Sequence, residues 1–539
     1  MKSKLSFNIF LVIAAISLFI NVGSYGVIES SDARYAEIGR AMHVSGDYIH
    51  PNLLDVHHYH KPPFTYQITA LGYKIFGINA FGARFFLQLA VILQLILVYR
   101  LSILLFGNKK TALWSAIIYF SFPLVLMSSR NLTTDAFLTT FALLSIYSWV
   151  KYRQSGVIKW LYTFTLSLAL GFLTKGPVIF IVPVIFILFY NRTEKAKRNF
   201  SIHHITSWLL FLVIAASWFA YLGYNNPAFL DYFLGKQTAD RFSKNAFGRT
   251  EPFWYFLAFA PLVSLPWFFA FIYLLKDQKE LFKRKSLHFA MLMAFVIPLI
   301  FFSISSSKRI LYILPLYGLL AILIADLFLR INTEKTKTIN SFIIGFSGLI
   351  LLTFIIAPFI NTGMNFPYYL VGASLFLVIL IVLLYKLTKE EVKFKPILTS
   401  LMVTVFLLIS ASTILAKNEL KVNASKPVTD FIIDKNLNTR DILVYNIRKS
   451  SIAFGLNKSI ISLYNGHGSL NRETQFETDL NWKKHLINLK NPAELENLHQ
   501  IVEKPTVLLL YKKQLPKKLD WLAKKYTHKK IMEKWTIYY

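Results

Sequence analysis

Apolar runs repeat along most of this sequence and decide what it can fold into. They lie at roughly Phe7–Val27, Ala83–Phe106, Ala112–Met127, Ala136–Val150, Trp160–Leu173, Val178–Tyr190, Ile205–Tyr224, Phe253–Leu275, Phe289–Phe302, Ile310–Leu329, Phe342–Ile360, Tyr368–Tyr385 and Ile397–Ala416. A bilayer core is about 30 Å thick, and a helix crosses it in about 20 mostly apolar residues. The pattern predicts about thirteen spanning helices. It excludes a soluble globular enzyme, whose surface cannot carry so much apolar material, and it excludes a disordered chain. Composition agrees: 16% of the residues are charged, against about 25% in an ordinary soluble domain. The absence of cysteine removes disulfides, thiol catalysis, cysteine-ligated zinc and iron–sulfur clusters.

The 59 Lys+Arg outnumber the 28 Asp+Glu, giving +31. Much of that excess alternates. Lys2 and Lys4 precede the first run, and Lys109/Lys110, Lys151/Arg153/Lys159, Arg192/Lys195/Lys197/Arg198, Lys276/Lys279/Lys283/Arg284/Lys285, Arg330/Lys335/Lys337 and Lys386/Lys389/Lys393/Lys395 fall in every second loop. Lys/Arg-rich short loops are cytoplasmic, so the N-terminus is expected inside. The first run lacks a small-x-small cleavage site and reads as a span, not a cleaved signal peptide. Charge scattered over two membrane faces argues against a nucleic-acid partner.

The remaining loops then lie outside. Two are long, at about 28–82 and 225–252. Pro63–Ala80 within the first is moderately apolar, but Gln67 and Lys74 argue against a span. Trp160–Tyr190 reads as two short helices, because Gly171, Lys175, Gly176 and Pro177 interrupt it. The expected fold is a polytopic α-helical membrane domain, residues 1–416, followed by a small outer α/β domain, residues 417–539. In the latter, Asp441–Tyr445 and Thr506–Tyr511 read as buried strands, and Leu495–Val502 and Leu519–Tyr526 as helices. No Walker A loop or dinucleotide-binding glycine motif is present.

The outer loops hold the residues that can do chemistry. Glu29-Ser-Ser-Asp32-Ala-Arg34-Tyr35-Ala-Glu37 starts directly after a span, and its blander reading is a helix start capped by Ser30 or Ser31. Tyr59-His60-Lys61-Pro62-Pro63 leaves a cation on a stiff turn. Asp135 follows Arg130-Asn131 at a helix mouth, where it can equally be an N-cap. Lys175 in Thr174-Lys175-Gly176-Pro177, and Lys308 and Arg309 in Ser305–Pro315, are cations set outside against the topological trend. A charge near hydrocarbon is costly unless it is used. Such cations can hold a phosphate or diphosphate head group, and an Asp can take a proton from an attacking hydroxyl. That combination suits transfer of a group from a lipid phosphate. His57 and His60, in a histidine-rich stretch, are candidate ligands for a divalent metal, although their spacing matches no strong metal motif.

These motifs, in this order, resemble the GT-C membrane glycosyltransferases, in particular the bacterial aminoarabinose transferases acting on lipid A and the related protein O-mannosyltransferases. Asp32-Ala-Arg34-Tyr35-Ala-Glu37 is similar to the acidic first-loop motif, followed by Ser45-Gly-Asp47. Tyr59–Pro63 resembles the Lys-Pro motif, and Phe76-Gly77 with Arg84 the next segment. Asp135 is similar to the second acidic position and Leu173–Pro177 to the Lys-Gly-Pro turn. Glu251-Pro252-Phe-Trp254-Tyr255 through Pro266-Trp267, and Ser307–Pro315, resemble later outer motifs. The resemblance covers about Phe7 to Leu329. His60 stands where the lipid A transferases tend to have Glu, and Ser31 where they have an acid.

The resemblance implies a polyprenyl-phosphate sugar donor, a lipid A-like or other envelope acceptor, and transfer on the periplasmic face of the bacterial inner membrane by a monomer. It makes Asp32 and Asp135 the candidate catalytic acids. Arg34, Lys61, Lys175, Lys308 and Arg309 become candidate phosphate holders, and Tyr35, Tyr59 and Tyr312 further substrate contacts. No cofactor is required beyond a possible divalent metal. A protein acceptor, or a transporter of lipid-linked glycans, are the competing expectations. A transporter needs charges or broken helices near the midplane, whereas the charges here lie at span ends.

Overall fold

The computed structural model describes residues 6–193, 200–239, 251–275, 283–388 and 392–539. Lys2, Lys4, Lys195, Lys197, Arg198, Lys276, Lys279 and Lys389 of the expected inner clusters lie outside the described residues, as does 240–250 of the second long loop. The chain divides into two compact units, Met1–Ile20 with Leu87–Ile414, and Asn21–Phe86 with Leu415–Tyr539.

Each apolar run of the sequence is largely helical, as a multi-span membrane protein requires, because a helix satisfies its own backbone in lipid. Seven described helices are long and apolar enough to cross a membrane, or nine if each of two bent pairs counts as one. This is fewer than the thirteen read from hydropathy, in part because Phe7–Phe19 and Pro177–Tyr190 are apolar but short.

In the first unit the helix Tyr317–Arg330 is the innermost, with every side chain from Tyr317 to Phe328 buried. It packs on Lys109–Ser121 and Leu287–Ile304. Thr134–Ser155 packs on Lys159–Lys175, which packs on Ile202–Asn225. The two bent pairs turn by 65° between Lys109–Ser121 and Pro123–Ser129, and by 106° between Tyr255–Leu262 and Trp267–Leu275. A break inside an apolar layer leaves backbone groups without intrahelical partners. Here the breaks serve each other: Leu124 N–H donates to the Val263 carbonyl at 3.1 Å, and Trp267 Nε1–H to Ser121 Oγ at 2.9 Å. Asp326 is buried between His288 Nε2 at 2.8 Å and Arg330 Nε at 2.7 Å.

In the second unit, Ser31–Ser45 packs on Phe64–Phe76. Between them lies an antiparallel pair, β1 (Asn52–Leu53) and β2 (Val56–His57). Phe64–Phe76 is 13 residues long and carries Lys74 in its last turn, in keeping with a surface helix. A Cβ on Gly72 would meet the Gly82 carbonyl oxygen at 2.2 Å, so only glycine permits that backbone approach. Residues after 415 form a six-stranded sheet from β3 (Asp441–Tyr445), β4 (Ile461–Tyr464), β5 (Leu486–Asn488), β6 (Thr506–Tyr511), β7 (Lys529–Met532) and β8 (Trp535–Tyr538). The strand order is β5-β4-β3-β6-β8-β7. The β5-β4-β3-β6 ladder is parallel, and β8 and β7 add antiparallel. The helices Pro492–Ile501 and Asp520–Lys524 fall where the apolar pattern predicts them.

Candidate active site

The expected site residues fall into two sets, one in each unit. In the second unit the helix begins at Ser31, yet Ser30 at its N-cap makes no side-chain cap. Ser30 thus holds the N-cap position expected of it without a side-chain capping bond. The Asp32 carboxylate accepts the Ile28 N–H at 2.9 Å. It is 2% exposed and is gripped by Arg84, Nη2 to Oδ2 at 2.5 Å and Nε to Oδ1 at 3.2 Å. Arg84 also donates to the carbonyls of Val22, Tyr25 and Gly26 at 3.1, 3.1 and 3.0 Å. Its guanidinium stacks on the Tyr25 ring, 4.1 Å from the centroid. Arg84 therefore ties residues 22–26 to the start of the first-loop helix, with Asp32 as its counter-ion.

One helical turn on, Glu37 and Arg40 form a second bidentate pair at 2.7 and 2.8 Å. Burial pushes the Glu37 carboxyl up to about 7 against the pull of Arg40. Tyr35 is buried with its ring 5.2 Å from that of Tyr66, and Tyr59 lies 5.2 Å from both the His57 and Phe476 rings. Arg34 and Lys61 are half-buried. Both act on His60, whose imidazole is held well below the ordinary histidine range by burial and by the cations Arg472, Arg34, Lys61 and Arg448. His58 is lowered in the same way, and the two rings meet edge to face at 4.3 Å.

Neutral imidazoles suit metal ligation, but His57 Nδ1 is engaged with Glu477 at 3.0 Å. Among the described residues no group of three or more His, Asp or Glu side chains is placed to hold a metal ion.

In the first unit Thr133, not Asp135, is the N-cap of Thr134–Ser155, its Oγ1 accepting the Asp135 N–H at 3.4 Å. The Asp135 carboxylate is thereby left for Lys175, with which it forms a buried salt bridge. Lys175 ends the helix Lys159–Lys175, and Gly176 at φ +79° turns the chain into Pro177. That turn explains the glycine and the proline. The lysine is explained by its two partners, Asp135 and the Tyr312 ring, over which the ammonium sits at 4.2 Å. Lys308 is buried and donates to the Glu251 carbonyl at 2.7 Å, and burial lowers its ammonium below the ordinary lysine range. Arg309 beside it is half-buried.

Three arginines escaped the sequence reading as site or scaffold residues. Arg84 figured only as part of a motif. Arg130 caps the first helix by donating to the carbonyls of Ser17 and Leu18 at 3.1 and 2.8 Å, a cation at a helix C-terminus. Arg448 comes from the C-terminal residues. The signal available was general: an arginine beside an apolar run is costly and needs a partner.

The model for dolichyl-phosphate-mannose-protein mannosyltransferases matches residues 60–221. An uncharacterized protein of Aquifex aeolicus is 30% identical over 341 residues, 62% of this chain and 66% of that protein. The undecaprenyl phosphate-alpha-4-amino-4-deoxy-L-arabinose arabinosyl transferase 2 of Proteus mirabilis is 29% identical over 328 residues, 60% of this chain and 59% of its own. The chain thus spans about three-fifths to two-thirds of these curated relatives. ArnT from Cupriavidus metallidurans, solved bound to undecaprenyl phosphate, superposes with a TM-score of 0.77 at 18% identity, over 98% of this chain and 97% of its own. This chain shares the fold of that ArnT. The apo form of the same ArnT gives a TM-score of 0.78 over the same extents, so the likeness in fold includes the C-terminal sheet as well as the helices.

Proposed function

We propose that this protein transfers a sugar from a polyprenyl-phosphate donor to a lipid A-like acceptor at the periplasmic face of the inner membrane, with its N-terminus in the cytoplasm and residues 417–539 outside. The observation that carries this reading is the Asp135–Lys175–Tyr312 set. It holds an acid and an ammonium buried at helix ends, a costly arrangement that a transfer reaction can use. The names of the relatives, which pair undecaprenyl phosphate with an arabinosyl transfer, support the donor and the sugar class. A protein acceptor is the second reading, and its support is the mannosyltransferase model, which spans only 60–221.

In the reaction the acceptor oxygen attacks the anomeric carbon and forms the new glycosidic bond. The bond from that carbon to the phosphate oxygen breaks, and polyprenyl phosphate departs with its electron pair. Lys175, Lys308 and Arg309 are assigned to hold the phosphate, which carries the charge that develops, and preorganised cations stabilise such charge strongly. Asp135 is assigned to receive the proton of a hydroxyl acceptor, Lys175 passing from the carboxylate to the phosphate as the donor binds. A phosphate acceptor has no proton to give up, and Asp135 then only positions Lys175. Asp32, with its carboxylate gripped by Arg84, is assigned a positioning role for the Arg34-bearing helix. Tyr312 keeps Lys175 in place, and Tyr35 and Tyr59 stiffen the first loop.

The test is reconstitution of the full chain in liposomes with an undecaprenyl-phosphate-linked aminopentose and lipid A, followed by mass spectrometry of the acceptor. The expected result is acceptor heavier by one glycosyl unit and release of undecaprenyl phosphate, both lost in Lys175→Met. Equal transfer by Lys175→Met would overturn the assignment of Lys175, and donor that crosses the bilayer unconsumed would replace the transferase by a transporter.

A further inference from the structure

The apolar helix Ala80–Phe106 carries two glutamines in the first unit, Gln88 and Gln94, and both are fully buried. An amide placed among apolar helices is costly unless its donors and its acceptor are met. Those of Gln94 are met by two neighbouring helices. Its Nε2 donates to the Ala136 carbonyl at 2.7 Å and to Thr140 Oγ1 at 3.0 Å, and its Oε1 accepts the Tyr119 hydroxyl at 2.8 Å. The Thr140 hydroxyl shares its proton between the carbonyls of Ala136 and Ala90, at 3.0 and 3.2 Å. One polar level thereby ties Ala80–Phe106 to Lys109–Ser121 and to Thr134–Ser155. Gln88 Nε2 adds a bond to the Ser129 carbonyl at 2.8 Å.

The carbonyls so held flank one turn of the chain. Ser129 ends the helix Pro123–Ser129, and Ala136 is the residue after Asp135. The first turn of Thr134–Ser155 therefore does not rest on its cap alone, whose bond from the Asp135 N–H to Thr133 Oγ1 is long at 3.4 Å. Apolar faces by themselves let a helix slide or rotate among packings of similar energy, whereas a satisfied polar set buried between helices selects one register. Register matters at this turn, because Asp135 meets Lys175 from a different helix, Lys159–Lys175. Misplacing a reacting group by about 1 Å costs about a hundredfold in rate.

We propose that Gln94 is a positioning residue for sugar transfer: through the Ala136 carbonyl it fixes the height and rotation of the helix turn that presents the Asp135 carboxylate to Lys175. The inference rests on the roles assigned to Asp135 and Lys175 in the transferase reading. A positioning role and a purely structural one differ in one consequence. A group that only stabilises the bundle changes the amount of folded protein. A group that acts through Asp135 lowers turnover only while Asp135 is there to be misplaced.

The experiment measures turnover per folded molecule of the full chain in liposomes, with an undecaprenyl-phosphate-linked aminopentose as donor and lipid A as acceptor. The parent and Asp135→Asn are each assayed with and without Gln94→Leu, which is close in volume and removes the amide. The expected result is a kcat about tenfold or more lower in the parent background, a donor KM within about twofold, and a further loss below about twofold in Asp135→Asn. Tyr119→Phe leaves both bonds from Gln94 to Thr134–Ser155 and should keep kcat within about threefold. An equal fractional loss in both backgrounds, or an equal loss in Tyr119→Phe, would make the role structural and overturn the proposal, as would parental kcat in Gln94→Leu. If Gln94→Leu does not fold, Thr140→Val, which removes one hydroxyl of the same network, should show a smaller loss with the same dependence on Asp135. Hydrogen exchange of residues 137–140 reads the turn without turnover. It should quicken in either variant while that of Lys159–Lys175 holds, and unchanged exchange would overturn the proposal. Wild-type protein that transfers no sugar would instead refute the transferase reading, and the exchange rates would then decide alone whether Gln94 holds the turn.

Discussion

Removing the partner of Asp32 tests the scaffold on which the first loop stands. Arg84 is fully buried and donates to both Asp32 oxygens and to the backbone carbonyls of Val22, Tyr25 and Gly26. In Arg84→Met the Asp32 carboxylate loses its cation but keeps the Ile28 N–H, and the carbonyls of Val22, Tyr25 and Gly26 lose a donor. Stranding one member of a buried ion pair costs about 3–5 kcal/mol. For a unit of this size about 3 kcal/mol lowers the melting temperature by roughly 6–12 °C. Asp32→Asn, which strands the guanidinium instead, should fall in the same range. The double variant Asp32→Leu/Arg84→Met removes both charges and should recover much of the loss, with a coupling of about 2–3 kcal/mol in the double-mutant cycle. The assay is thermal unfolding of the full chain in detergent, followed by intrinsic fluorescence. Melting of Arg84→Met within about 2 °C of the parent, or simple additivity in the double variant, would refute the reasoning, because either means that the pair is neither buried nor coupled as described. Turnover per folded molecule separates the two acids: Asp32→Asn should lose much less than Asp135→Asn.

Lys175→Met should lower transfer by about a hundredfold or more while leaving the fold in place, the scale of losing one group that stabilises developing charge; steady-state turnover in liposomes checks it. Gly72→Ala should cost about 2–3 kcal/mol, since its Cβ would sit 2.2 Å from the Gly82 carbonyl oxygen and backbone must move; a melting curve reads the loss, and Gly46→Ala, with nothing within 4 Å but a φ of +73°, should cost less. Glu419 is buried, with Oε1 accepting the Gly26 N–H at 3.3 Å and Oε2 without a hydrogen bond among the described residues. Burial pushes its carboxyl from the ordinary 4.5 up to about 7. A folded carboxyl that binds its proton more tightly than the unfolded one stabilises the fold fully below the unfolded pKa and loses that contribution as pH rises through the folded pKa. Stability should therefore decline between about pH 4.5 and 7, and Glu419→Gln should flatten that decline in melts taken across the window.

The helices were legible because period and length are local: each apolar run became a helix, and the Lys175-Gly176-Pro177 break fell where the turn residues placed it. Strands β3 and β6 were legible as short apolar runs between turn signals. What local pattern cannot carry is partnership. Asp32 and Arg84 are 52 residues apart, and Arg448 reaches Leu53 across 395. Capping readings failed for the same reason. Asp135 and Ser30 have the right side chains for caps, but Thr133 takes the one cap, and Ser30 holds the other N-cap position without a side-chain bond. A hydroxyl one or two residues away competes on equal terms with a carboxylate, and a buried cation decides which carboxylate is drawn elsewhere. The grouping of residues 21–86 with 415–539 in one unit is likewise invisible to hydropathy, which sees only a loop and a tail.

The most direct test of the transferase reading is mass spectrometry of the lipids of cells with and without this gene. If the protein consumes a polyprenyl-phosphate sugar, cells lacking it should accumulate that charged donor, and their lipid A should lose one glycosyl unit. Unchanged levels of both, with expression of the protein verified in the control, would contradict it.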